Sequence, residues 1–241
     1  MRKRLIIFDF DGTLGNTRRT IVTTMQMTIK ELQLPGRSED ECAATIGQPL
    51  VGCFKALFPD LQAEQIQLCT DTYRRIFNEN QRTIKPQAFP HVVETLSVLK
   101  EQGFTLTIAS SRSHASLSEL TKDMGIAESI SYLIGADDVK KAKPEPDPVL
   151  NRLSAMNGRS SESRRACSDG RVVTDEDEVN YKASETLVVG DMAVDILMGA
   201  NAGAKTCGVT WGNGTRKELQ EAGADYIIDN IEELIEIADK I

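Results

Sequence analysis

Two aspartates, Asp9 and Asp11, close the apolar run Leu5-Ile6-Ile7-Phe8 within the stretch FDFDGTLGNT at 8–17. Residues i and i+2 of a strand project to the same side, so both carboxylates share one face. Like charges at that spacing repel, and each loses hydration. The pair is coherent where a cation stands beside it or where one acid keeps a proton. A strand running into a polar turn, with Asp11-Gly12 as turn residues, is the plainer alternative. Three further polar groups follow apolar runs. Ser110, Ser111 and Arg112 come after Phe104–Ala109, and Lys143 stands in Lys-Pro-Glu-Pro-Asp downstream of Ile134. Asp191 follows Leu187-Val-Val-Gly, with Asp195 four residues on. Taken singly, the serines read as helix caps, the lysine as a solvated cation and Gly190-Asp191 as a turn.

The elements around these groups decide between the readings. Apolar β-type runs lie at 4–9, 104–109, 131–134, 186–190, 205–210 and 225–228. Helical periodicity lies between them, at 91–102, 114–124, 193–202 and 230–239. Such alternation predicts an α/β fold, a Rossmann-like doubly wound parallel sheet. Ligands of such sheets bind outside the carboxyl ends of the strands, and all four polar groups fall there. Acids, hydroxyl and amine would then meet in one crevice. No strand is apparent between 15 and 85. Instead, Ile21, Met25, Ile29 and Leu32 share one helical face before Pro35-Gly36, and Ile66, Cys69, Tyr73 and Ile76 share another. The pattern predicts a core of residues 1–14 and 86–241 with an all-helical cap inserted at 15–85. Within the core, 158–184 holds seven apolar residues in 27 and the acidic run Asp175-Glu-Asp-Glu178. It reads as a surface insertion leaving the amino-terminal edge of the sheet, opposite the crevice.

Composition narrows the classes. The chain has 241 residues and a net charge of −8, which argues against a nucleic-acid partner. The basic Met1-Arg-Lys-Arg is followed by too few apolar residues for a signal segment, and no run of ~18 apolar residues suits a membrane span. Five cysteines, with no Cys-x-x-Cys pair, read as reduced residues of a cytoplasmic protein.

The four groups in this order resemble the motifs of the haloacid dehalogenase (HAD) superfamily: Asp9-Phe-Asp11-Gly12-Thr13, Ser110, Lys143-Pro and Gly-Asp191-x-x-x-Asp195. Thr45-Ile-Gly47-Gln-Pro49-Leu and Phe89-Pro90 resemble the phosphoglycolate phosphatase-like branch. Two departures stand out: Asn16, where the family usually carries aspartate, and His91, where it often carries glycine, the second implying a different local turn. The resemblance implies a Mg²⁺-dependent phosphatase of small phosphorylated metabolites, acting as monomer or homodimer. Asp9 would attack phosphorus to form an aspartyl-phosphate, with Asp11 as acid and then base. Asp9, the Asp11 carbonyl and Asp191 would bind Mg²⁺, with Asp195 behind them. Lys143 would neutralise charge beside Asp9. Ser110 and the N–H groups after Asp11 and Ser110 would hold the phosphoryl oxygens, placing Gly12, Thr13, Ser111 and Arg112 around the phosphate.

Other readings compete. A phospho-receiver signalling module also combines a strand-end aspartate, a hydroxyl, a lysine and Mg²⁺, but its acceptor follows the third strand rather than the first. A β-phosphoglucomutase-like enzyme needs Asp11 too, although caps of that type carry arginine where Leu50 stands. A pyrophosphatase would use the same residues.

Overall fold

The computed structural model describes residues 4–162 and 181–240. Its frame is a six-stranded parallel sheet built on β1 (Leu5–Phe8), β4 (Thr105–Ala109), β5 (Tyr132–Ile134), β6 (Thr186–Gly190), β7 (Lys205–Val209) and β8 (Tyr226–Ile228), in the order β5-β4-β1-β6-β7-β8. β1 pairs with β4 on one side and β6 on the other, so Phe8 stands level with Ile108 and Val189. Both faces of β1 are covered, which is why its run is apolar without alternation. Ile6 and Phe8 join a core with helices α5 (Val92–Glu101), α6 (His114–Asp123) and α10 (Glu233–Ala238). Leu5 and Ile7 face the opposite layer, where α7 (Asp147–Glu162) and α8 (Ala193–Asn201) supply Val149, Leu153 and Met198. The short α9 (Arg216–Glu221) buries Leu219 against Gly208 of β7.

Between β1 and α5 the chain forms four helices: α1 (Arg18–Glu31), α2 (Glu39–Ala43), α3 (Leu50–Leu57) and α4 (Ala63–Asn80). α1 and α4 pack along each other and share a buried hydrogen bond, Asn80 Nδ2 to Thr24 Oγ1 at 3.0 Å. A two-residue antiparallel ribbon, β2 (Gly15–Asn16) with β3 (Gln87–Ala88), joins the chain where it leaves and re-enters the sheet region. The sequence showed no strand there because two residues carry no periodicity. α1 ends in a Schellman turn, with Leu34 N–H donating to Ile29 O and Gln33 N–H to Lys30 O. Gln33 holds the left-handed φ of 53° that this turn requires. His91 does the same before α5, at φ 63°. This left-handed conformation suits glycine, and histidine adopts it at a conformational cost.

α7 continues through Glu162, into the segment read as an acidic insertion, and residues 163–180 of that segment lie outside the described residues. Where the chain is described again, Tyr181 is buried. Its backbone exchanges two hydrogen bonds with the Asn157 side chain, and its hydroxyl lies 2.9 Å from Thr105 Oγ1 at the amino end of β4.

Candidate active site

The carboxyl ends of three adjacent strands build the site. Asp9 follows β1 and is still tied to the sheet, its N–H donating to Val189 O at 2.8 Å. Ser110 follows β4 and donates its N–H to Ile134 O. Asp191 follows β6, and Asp195 sits in the first turn of α8, its Oδ2 accepting from Met192 N–H. Lys143 arrives from the segment between β5 and α7. Its ammonium bridges Asp9 Oδ1 at 2.5 Å and Asp195 Oδ1 at 2.6 Å. All three aspartates are buried, and carboxylate oxygens of Asp9, Asp191 and Asp195 lie within 4.8 Å of one another.

Three buried carboxylates beside one ammonium leave an excess of negative charge, and the acids register it. Burial first, and then the charges of Asp195 and Asp191, push the Asp9 carboxyl well above the usual carboxylate range despite the opposing pull of Lys143. Burial and Asp195 push Asp191 up to about 7. For Lys143 burial works against the ammonium, but Asp195 and Asp9 together outweigh it and raise its pKa. A second cation would relieve this imbalance. The donors are hard oxygens from two or three carboxylates and a nearby backbone carbonyl, the set that suits a small divalent ion rather than a soft metal.

Asp191 sits in a cradle of backbone. A Cβ on Gly12, at φ 93°, would come within 2.2 Å of Asp191 Oδ2, and one on Gly212 within 2.3 Å of the same atom. Only glycine permits this approach. Asn213, in the loop after β7, donates its backbone N–H to Asp191 Oδ2 at 2.7 Å, and its Nδ2 to that oxygen at 3.1 Å and to Asp11 O at 3.4 Å. Sequence reasoning missed Asn213. The signal was present as Gly212-Asn213-Gly214, a flanking glycine pair just past a strand.

The structure redirects several side chains expected around the phosphate. Thr13, fully buried, donates its hydroxyl to Asp191 Oδ1 at 3.1 Å, so it fixes an acid. Ser111 donates its hydroxyl to Gly47 O across the gap to the helical segment, at 2.6 Å. Arg112 points its Nε at both oxygens of Asp11, at 2.8 and 2.7 Å, and Thr17 donates to Asp11 Oδ1 at 2.6 Å. Gly12 spends its N–H on Gly15 O. The N–H groups of Phe10, Asp11 and Ser111 carry no hydrogen bond among the described residues, so the open donors lie one and two residues before Gly12 and directly after Ser110. Ser110 stays at the strand end, its Oγ accepting from Arg112 N–H at 3.2 Å.

Such an arrangement offers a carboxylate nucleophile, a second acid, a fixed ammonium and open N–H donors. Its relatives agree in kind. The haloacid dehalogenase-like hydrolase model matches residues 6–165, and a HAD-hydrolase-like model matches 169–234. A protein named "Probable phosphatase IndB" from Dickeya dadantii is 32% identical over 238 residues, covering 97% of this chain and 92% of its own. "Pyrophosphatase PpaX" of Bacillus pumilus is 30% identical over 232 residues, covering 96% and 94%. Among solved structures, one described as a predicted phosphoglycolate phosphatase from Haemophilus somnus superposes with a TM-score of 0.81 at 22% identity, covering 98% of both chains. A hydrolase from Pseudomonas syringae superposes at 0.78 with 22% identity and 99% coverage of both.

Proposed function

The chain belongs to the haloacid dehalogenase-like hydrolase family and is a hydrolase of phosphate esters; from that premise we propose that it is a Mg²⁺-dependent phosphatase of small metabolites working through an aspartyl-phosphate. The observation that carries this reading is the buried group Asp9, Asp191, Asp195 and Lys143 at the carboxyl ends of the sheet.

In this reading an oxygen of Asp9 attacks phosphorus, and the bond from phosphorus to the leaving oxygen breaks. Asp11 gives its proton to that oxygen. A water then attacks phosphorus, Asp11 takes back a proton, and the Asp9–phosphorus bond opens to release phosphate. Lys143 holds Asp9 in place and opposes the charge gathering on the phosphoryl oxygens, while Ser110 and the N–H groups of Phe10, Asp11 and Ser111 orient them. Phosphoryl transfer needs positioning and charge stabilisation above all. Asp9, Asp191 and the Asp11 carbonyl would hold Mg²⁺, which would supply positive charge beside the phosphoryl oxygens. Thr13 and Asn213 keep Asp191 oriented for that ion.

Phosphoglycolate-like monoesters are the substrates the branch resemblance favours, and pyrophosphate is favoured by the PpaX relatives. Leu50 in place of the mutase arginine disfavours phosphohexomutase activity. We place the enzyme in the cytoplasm as a monomer or homodimer, without nucleic-acid or membrane partners. Cys42, Cys53, Cys69 and Cys207 are free thiols, and no described helix is long and apolar enough to cross a membrane. The test is a turnover screen across phosphate monoesters and pyrophosphate, with Mg²⁺ and with excess chelator. Turnover that stops on chelation and returns with Mg²⁺ is expected. Ca²⁺, which takes more oxygen ligands at longer distances than Mg²⁺, should support less turnover. Full activity in chelator would refute the metal requirement.

A further inference from the structure

Above Asp11 the helical segment presents an aromatic wall. Tyr73 and Phe77 of α4 stack with centroids 5.8 Å apart, and Phe54 meets Tyr73 edge-on at 6.1 Å. Against this wall lies Arg112 from the sheet side, its guanidinium carbon 4.8 Å from the Phe77 ring and its side chain 11% exposed. Arginine has five N–H donors. Nε is committed to Asp11, and Nη1 makes one 3.3 Å contact with Ser116 Oγ. The remaining donors, including both on Nη2, meet no acceptor among the described residues, and Nη2 keeps access to solvent. Tyr73 is the second such group. It is 7% exposed, yet its hydroxyl has no hydrogen-bond partner among the described residues and is not sealed off. Its ring stacks on Phe77, the ring that the Arg112 guanidinium also lies against, so phenol and guanidinium flank one aromatic group.

Neither group has a structural use for these donors. Aromatic packing against Phe54 and Phe77 requires only a ring, which phenylalanine supplies. Pairing with Asp11 uses only Nε, leaving the bidentate end of the guanidinium open. A half-buried cationic fork beside an unpaired phenol, next to a site for a phosphoryl group, matches a second oxyanion on the same ligand. We propose that Arg112 and Tyr73 bind a second anionic group of the substrate, at the end remote from the phosphoryl group that Asp9 attacks. The preferred substrates are then small molecules carrying a carboxylate or a second phosphate close to the transferred phosphoryl, rather than esters of neutral alcohols. This rests on the phosphatase reading for the placement of the reacting end. It also gives phosphoglycolate and pyrophosphate a shared feature that one pair of residues recognises.

Binding of stable analogues tests the inference apart from turnover. Calorimetric titrations of the full chain with Mg²⁺ would compare phosphonoacetate (phosphonate plus carboxylate), imidodiphosphate (two phosphoryl groups) and methylphosphonate (one anionic group). At least one bifunctional ligand should bind tenfold or more tighter than methylphosphonate, and which one does so separates the carboxylate from the phosphate source. Tyr73→Phe, which keeps the stacked ring, and Arg112→Met should each weaken that ligand on the order of tenfold more than methylphosphonate, the loss typical of a charge-assisted contact. Arg112→Met is read only if its melting curve stays cooperative, and Tyr73→Phe carries the test otherwise. Equal affinity of the unsubstituted protein for all three ligands would overturn the proposal. So would equal weakening of all three in the variants, which would mean that Arg112 serves Asp11 alone. Parallel kcat/KM values on p-nitrophenyl phosphate, phosphoglycolate and pyrophosphate keep the two readings apart. Turnover of all three without preference sinks the second-anion site and leaves the phosphatase. A binding preference without turnover of any ester sinks the phosphatase and leaves the site.

Discussion

Asp191→Asn should make the metal-free protein more stable at neutral pH while weakening its response to Mg²⁺. In the folded chain the Asp191 carboxyl is raised from 3.8 to about 7, chiefly by burial and then by Asp195. The folded state therefore binds this proton more tightly than the unfolded state does. Between those two values the native chain carries more protons, so stability falls as pH rises through the window. From pH 5 to pH 7.5 this single group removes on the order of a few kcal/mol. Asp9 is raised as well and adds to the fall. Asp138, Asp225 and Asp229 are lowered instead, so they lose their contribution below the window and do not compensate within it. An asparagine at 191 can accept from Asn213 and donate to Thr13, keeping both contacts while removing the charge. Urea unfolding at pH 5, 6 and 7.5 in chelator should show the decline in the parent protein and a flatter profile in Asp191→Asn. Saturating Mg²⁺ should restore the parent at pH 7.5 by binding only the folded state, and should do much less for the variant. Equal stability of the chelated parent at pH 5 and 7.5, or the same slope in the variant, would refute the idea that uncompensated negative charge defines the site.

Asp9→Asn should lower kcat on the order of 10³-fold or more without lowering the melting temperature, since an amide cannot form the acyl-phosphate; Asp11→Asn should slow both formation and hydrolysis of the intermediate, read by rapid quench. Asn213→Ala should raise the Mg²⁺ concentration for half-maximal activity on the order of tenfold, as loss of a group that orients a ligand does; an unchanged Mg²⁺ requirement would remove Asn213 from the site. Gln33→Gly should add about 0.5–1 kcal/mol in urea unfolding, because glycine takes the left-handed end of α1 without strain. Replacing 163–180 with a Gly/Ser linker should leave kcat within a few-fold, because Tyr181 returns the chain beside Thr105, at the end of the sheet away from Asp9; a collapse of activity in a folded variant would defeat that topological argument.

β1, β4 and β6 were readable because each is a largely buried run of four or five mostly apolar residues, and α1 and α4 because they are long enough, at 14 and 18 residues, to show a periodic face. α2, α3 and α9, with 5, 8 and 6 residues, are too short for that. Two of them still carried a local signal in the capping boxes Ser38…Glu41 and Thr215…Glu218. Asp9, Ser110, Lys143 and Asp191 could be brought together because topology alone sends strand ends to one edge. The partners of Thr13, Ser111 and Arg112 could not be read. Their side chains bond across 178, 64 and 101 residues of sequence, and nothing local says which of several nearby acceptors a hydroxyl or guanidinium will choose.

The central place of β1 carries a consequence for how the chain is made. Its neighbours are β4 and β6, so the first strand of the sheet to be made is flanked by the second and fourth sheet strands in chain order. At ~5–20 residues per second, the roughly 180 residues separating β1 from β6 take about 10–35 s to synthesise. For that interval an almost wholly apolar segment has at least one open edge, the condition under which nascent chains associate wrongly. Asp9 is the first residue of the site to be made and Asn213 the last, so no shortened product of translation that stops before β7 contains a complete site. Protection of β1 and completion of the site therefore both wait for the segment from β6 to Asn213.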